Sequence, residues 1–233
     1  MLGSLLFLAS CDPIPEECAK SEAQNESQTQ VAEVKPAGCT PAEDDPDEVV
    51  TTPPVEGGPI DATLPAGVAV FGANVSYTNF TSADIDKVQQ ALIFIQRIIR
   101  STEFRDRVLN HKFEGKLQFS NNNGLTNAQI YQALVDGSEE LKQGVNHKMD
   151  LELELYTNNF TSTVGYTYPN TLRIWMNRKF FNNYSSEEVS RNVFHEWTHK
   201  LGFGHDSNAT ARRPYSVPYA LGSIIQEMAF DLE

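Results

Sequence analysis

Eleven residues near the C-terminus combine metal-ligating and proton-accepting side chains at spacings that suit one metal ion. They are His195-Glu196-Trp197-Thr198-His199-Lys200-Leu201-Gly202-Phe203-Gly204-His205, in the order H-E-x-x-H-x-x-G-x-x-H, with Asp206 next. On a helix, His195 and His199 lie four residues apart and project from one face. Two imidazoles so placed can hold one zinc ion. Glu196 is not needed as a ligand, and its carboxylate can take a proton from water activated by the metal. Gly202 is expected to end the helix, because glycine accepts the left-handed conformation that turns the chain away. That turn lets His205 return as a third ligand. Three protein ligands leave a fourth position for water, the arrangement of a catalytic site rather than a closed structural one. At average residue usage the whole pattern arises by chance in roughly one chain of this length in 10⁵.

The elements that must hold these residues follow from local patterns. Ser185-Ser186-Glu187-Glu188 reads as a capping box, with Ser185 as N-cap and Glu188 at the third helical position. Val189, Val193, Phe194, Trp197 and Leu201 then recur at near-helical spacing. A helix buried on one side and stopped by Gly202 is expected. Upstream, Thr81 or Ser82 caps a long helix to about Ser101, with Ile85, Val88, Leu92, Ile95 and Ile99 on one face. Thr126 to Asp136 reads as a shorter helix ended by Gly137. Met149 to Tyr156 (MDLELELY) alternates leucine with acid, the mark of a strand with one buried face, and puts Glu152 and Glu154 on its solvent side. Val164 to Pro169 and Thr171 to Asn177 read as two more strands, Val68 to Phe71 and Lys116 to Phe119 as short ones, and Tyr219 to Leu232 as a last helix. The sum is an α+β domain: a mixed twisted sheet with a long helix, an active-site helix and a C-terminal helix.

The eleven-residue motif resembles that of the metzincin clan of zinc endopeptidases. The resemblance implies a metzincin-like zincin domain with one catalytic Zn²⁺, held by His195, His199 and His205, and Glu196 as general base. Asp206 is similar to the reprolysin-like branch. The clan carries a G-x-x-x-P strand on the upper rim of its cleft. Gly165-Tyr166-Thr167-Tyr168-Pro169 resembles that strand, and Thr171 to Asn177 resembles the one before the active-site helix. An extended peptide would pair with this rim by strand addition. The chain departs from the clan at one point. Metzincins place a methionine in a turn beneath the metal, often within S-x-M-x-Y, whereas Ser216-Val217-Pro218-Tyr219 has Pro218 in that place. A rigid turn under the imidazoles is expected here, with Tyr219 or Tyr215 either packing in it or hydrogen-bonding a tetrahedral intermediate. The resemblance covers residues 150–222, and the N-terminal third matches only in the order of its elements.

Composition bounds the rest. The chain has 233 residues, 40% of them hydrophobic, enough for one domain plus a tail. Its net charge of −13 argues against nucleic acid or an anionic membrane as an electrostatic partner. Residues 12–59 hold twelve acids, two lysines, eight prolines and no aromatic residue, and so carry −10 of that charge. Such a stretch buries too little to offset its ordering entropy and reads as a disordered tether. Ahead of it, Leu5 to Leu8 form a short apolar run, and Leu8-Ala9-Ser10-Cys11 resembles the bacterial lipobox, although no basic residue precedes the run. On this reading residues 1–11 are a signal ending at a lipidated Cys11, 12–60 a tether and 61–233 the catalytic domain. An ordinary signal peptide is the other reading. Cys18 and Cys39 fall in the tether, so no thiol can serve as nucleophile or ligand in the domain.

These features together predict an exported, monomeric zinc endopeptidase, lipid-anchored to a bacterial membrane and acting on an extended peptide or protein. Two other classes stay open: a surface-binding lipoprotein whose zinc site is a relic, and a zinc amidase acting on cell-wall peptide or a small molecule. His111 and His147 have no partner at ligand spacing and read as surface histidines. Arg212 and Arg213 either line the cleft or are solvated charge.

Overall fold

The computed structural model of the chain describes residues 50–51, 71–142 and 144–232. Cys11, the signal and nearly all of the acidic tether lie outside them. Val50 and Thr51, within the expected tether, form a two-residue strand.

Among the described residues five strands make one open mixed sheet: β1 (Val50–Thr51), β2 (Gly72–Thr78), β3 (Lys148–Tyr156), β4 (Gly165–Thr167) and β5 (Arg173–Asn177), ordered β1-β2-β3-β5-β4. The three central strands are parallel, and β1 and β4 run antiparallel at the two edges. Parallel neighbours need a crossover. Between β2 and β3 it is supplied by three helices: α1 (Ser82–Ile99), α2 (Thr102–Leu109) and α3 (Asn127–Asp136). After β5 come the single-turn α4 (Arg178–Phe181), the motif helix α5 (Ser186–Lys200) and α6 (Val217–Phe230).

One core joins sheet and helices. Leu151, Leu153 and Leu155 of β3 are buried with Ile174 and Met176 of β5 and Ala73, Val75 and Tyr77 of β2. Val88, Leu92, Ile95 and Ile99 of α1 belong to the same cluster, as do Val189, Val193, Phe194 and Trp197 of α5. Glu152 and Glu154 lie on the opposite face of β3, where Arg173 meets them at 3.7 and 2.9 Å. Helix α5 packs on α6 and on α1, and so stands between the sheet and the C-terminal helix.

Several expectations shift. Of the strand expected at Val68 to Phe71, residues 68–70 lie outside the described residues; a strand follows at Gly72–Thr78. Its buried Ala73, Val75 and Tyr77 alternate with Asn74, Ser76 and Thr78, a polar-rich pattern with little apolar contrast. Helix α2 was not expected. Ser101 caps it directly after α1, and only Phe104 and Val108, one turn apart, are buried. Lys116 to Phe119 is no strand. A lone bridge links Phe113 and Lys116, and Leu117 is 58% exposed. The rim strand is three residues long, and α6 begins at Val217, two residues before the expected start.

Candidate metal centre

Local chemistry sets both ends of α5. Ser185 Oγ accepts from the Glu188 amide and Glu188 Oε2 accepts from the Ser185 amide, a complete capping box. At the other end Gly202 takes φ +86°. The Gly202 amide donates to His199 O and the Phe203 amide to Thr198 O, which is a Schellman motif. Any side chain at Gly202 would also meet Glu140, since a Cβ there falls 2.5 Å from Glu140 Oε1. The chain therefore leaves the helix sharply and brings His205 back against it.

The three histidines converge. One ring nitrogen from each of His195, His199 and His205 lies within 4.8 Å of the others, and the ring centroids are 5.0 to 5.2 Å apart. Backbone carbonyls fix two of the rings. His199 Nδ1 donates to Phe203 O at 2.7 Å, and His205 Nδ1 donates to Asp206 O at 3.0 Å. A carbonyl can only accept, so each proton sits on Nδ1 and each Nε2 keeps its lone pair. His205 Nε2 is buried with no hydrogen-bond partner. A buried acceptor without a donor is costly, and a cation shared with the other two rings would satisfy it.

Burial, first of all, holds the three imidazoles in the neutral form that binds metal. It pushes His195 well below the ordinary histidine value, with the neighbouring His199 and His205 adding to the effect. His199 falls to about 4, again by burial and then by His205. His205 is lowered by burial, against the opposing hydrogen bond to Asp206. The residues present thus fit a three-histidine metal site.

The floor of the site differs from the turn expected for Ser216-Val217-Pro218-Tyr219. Ser216 is the N-cap of α6, and Pro218 occupies its first turn, where a missing N–H costs nothing. Pro218 is buried, but Tyr219 meets the histidines. Its ring stands edge-on at 4.6 Å from His195 and 4.8 Å from His205. Arg213, itself buried, places its guanidinium 4.7 Å from the Tyr219 ring centroid. Of the two arginines, Arg213 is thus part of this floor, while Arg212 is exposed and bonds Asn121. Tyr215 is 44% exposed and packs on Phe113 and His111. Gly222 lets α6 approach α5, since a Cβ there would touch Arg191 O at 3.2 Å and His195 Cβ at 3.5 Å.

Asn192, Glu196 and Lys200 form a second stripe along α5, spaced i, i+4, i+8. Both ends of this stripe touch the β4–β5 hairpin. A Cβ on Gly165, the first residue of β4, would fall 2.9 Å from Asn192 Oδ1. Four oxygens surround Lys200 Nζ and share its three N–H donors: Thr167 Oγ1; Tyr168 O and Arg173 O, both at 3.0 Å; and Thr171 O at 2.5 Å. Glu196, buried, lies between Asn192 and Lys200 along this face, one residue on from His195. Of the expected rim residues, Gly165, Tyr166 and Thr167 form β4, and Tyr168 follows it. Tyr166 stacks on Trp175 at 5.1 Å, and Tyr168 meets Trp175 edge-on.

The other two histidines are not at the surface as expected. His111 is half-buried, stacks on Phe119 at 4.0 Å, and is lowered below its ordinary pKa by burial. His147, also half-buried, bonds Val135 O through Nδ1 at 2.8 Å. Neither joins a metal-binding cluster among the described residues. Lys200 and Asn192 gave no signal in sequence, because their partners belong to other elements. No family model matches the chain, and neither a curated protein nor a solved structure matches it.

Proposed function

We propose that the chain is a zinc-dependent endopeptidase of metzincin type, exported and lipid-anchored through Cys11. The observation that carries this reading is the convergence of His195, His199 and His205, with a partnerless Nε2 among them and the buried Glu196 next to His195 in the chain. The mixed sheet with an antiparallel edge strand, the motif helix behind it and the glycine turn to His205 also support a zincin domain.

His195, His199 and His205 would hold the zinc through one ring nitrogen each. The bound ion would supply Lewis acidity to the scissile carbonyl and acidity to a water. Glu196 accepts the proton of the attacking water and returns it to the leaving amine. Among the described residues β4 has a strand partner on one side only, and its other edge offers backbone groups to an extended substrate. Tyr219, held against His195 and His205, is the better placed of the two tyrosines to stabilise a tetrahedral oxyanion. Water attacks directly, so no acyl-enzyme forms.

The test is casein cleavage by the purified chain and by Glu196→Gln. The wild type should cut, and the variant should lose about 10³-fold in kcat/KM with zinc content and melting temperature unchanged. Cleavage that survives in Glu196→Gln would remove the general base. A wild type that binds zinc and cuts no protein would favour a relic site or a non-protein amide as substrate.

A further inference from the structure

We propose that Lys200 is the positioning residue of the substrate-binding edge: its ammonium clamps the closed end of the β4–β5 hairpin to the metal-bearing helix, and so sets the rim strand at a fixed offset from the catalytic centre. The proposal rests on the endopeptidase reading above and adds the residue that fixes where an extended peptide lies.

Strand β4 needs such a clamp. It has three residues and one strand partner, paired as Gly165 with Met176, Tyr166 with Trp175 and Thr167 with Ile174. A strand that short at a sheet edge is marginal by itself. The four oxygens around Lys200 Nζ come from Thr167, Tyr168, Thr171 and Arg173, that is, from the last residue of β4, the connecting loop and the first residue of β5. Lys200 is only 4% exposed, and its stem is surrounded by protein. A buried ammonium is tolerable only when its N–H groups are satisfied, and here the hairpin itself satisfies them. Thr167 Oγ1 accepts from Lys200 and donates to Arg173 O at 2.6 Å, so the clamp also closes the hairpin.

The helix supplies the ruler. Lys200 directly follows His199, so helical geometry alone fixes the offset between a candidate ligand and the clamp. At the opposite end Gly165 rests on Asn192, whose Oδ1 is buried without a hydrogen-bond partner. Asn192 and Lys200 are about 12 Å apart along the axis, and β4 is held beside the helix at both points. Glu196 sits halfway. A peptide pairing with β4 would thereby present its carbonyl to Glu196 and the histidines in one register, and freedom in β4 would spread that register.

The experiment compares Lys200→Met, Lys200→Arg and Thr167→Val in the full chain. The substrates are an octapeptide spanning the main casein cleavage site and the tetrapeptide centred on the same bond. KM and kcat are measured for each, and octapeptide Kd is measured on the Glu196→Gln background, where cleavage is off. Lys200→Met should raise the octapeptide KM and Kd, and should shrink the KM advantage of the octapeptide over the tetrapeptide by about 10-fold or more. Lys200→Arg should recover part of that advantage, because it restores charge and donors. Zinc content should stay at that of wild type. If Lys200→Met lowers kcat for both peptides alike, or loses zinc, the residue is merely structural and the proposal is overturned. If Lys200→Met does not fold, Thr167→Val decides: a smaller loss of the octapeptide advantage supports the clamp, and none overturns it. If the wild type neither binds nor cuts any peptide, the endopeptidase reading fails and the clamp falls with it.

Discussion

Two sides of α5 bury polar groups and build them into different kinds of cluster. On the sheet side, Trp197 Nε1 donates to Glu139 Oε1 at 2.6 Å, and that oxygen also takes the Asp150 amide at 2.9 Å. Asp150 in turn accepts from Asn74, Lys142 and Asn146 at 2.7 to 2.8 Å. On the histidine side, three imidazoles crowd one another, and His205 Nε2 meets no donor. Both clusters contain groups whose pKa values are moved. Burial raises Glu139, and hydrogen bonds from Lys142, Asn74 and Asn146 lower Asp150 against the opposing effect of burial. A shifted pKa therefore marks both regions and separates neither. Each also keeps one buried atom without a hydrogen-bond partner, Glu139 Oε2 and His205 Nε2. The composition separates them: protein donors tie Glu139 Oε1 and Asp150 together, whereas the histidine cluster brings three ring nitrogens to within 4.8 Å of one another, as a shared cation requires.

The comparison breaks most directly at the metal. His205→Ala should abolish stoichiometric zinc binding, read as metal per chain after dialysis. A chelator should lower the melting temperature of the wild type and leave the variant unmoved. At free zinc 100-fold above Kd the ion contributes about 2.7 kcal/mol. Full zinc in His205→Ala would mean that the third ligand is another residue.

Trp197→Phe tests the other side. It keeps a ring in the core and removes one donor from a buried carboxylate, so it should cost about 1–3 kcal/mol in urea unfolding. Zinc content should not change, and a loss of zinc would show that the two sides are not separable.

The smallest effect is the response of the metal-free chain to pH. The histidines of the site have folded pKa values below the unfolded value of 6.5, and His199 lies near 4. The unfolded chain therefore binds more protons in that window, and stability must fall as the pH drops from 6.5 to about 4. His199→Gln should flatten the melting-temperature profile over that interval. A variant profile parallel to wild type would place the acid sensitivity in His195, His205 or the carboxylates.

Legibility followed the range of the interactions. The capping box at Ser185 and Glu188 and the helix stops at Gly202 and Gly137 were readable because their partners lie within a few residues. The leucine alternation of β3 was readable because one face is apolar and the other charged. Strand β2 carries no clear sequence signal because its outward residues are small and polar beside modest apolar ones. The turn expected at Ser216–Tyr219 rested on the likeness to the clan's methionine turn, yet its proline fits the first turn of a helix.

By itself the sequence determined the chemistry on offer: three imidazoles, one carboxylate and a glycine turn, with spacings that a helix converts into a common face. The tertiary structure alone decided what that face confronts. Lys200 finds its four oxygens 27 to 33 residues away along the chain. Asn192 meets Gly165 across the sheet edge, and Tyr219 closes the floor from another helix. Those meetings depend on sheet register and helix packing, which many distant apolar contacts fix together and no local pattern encodes.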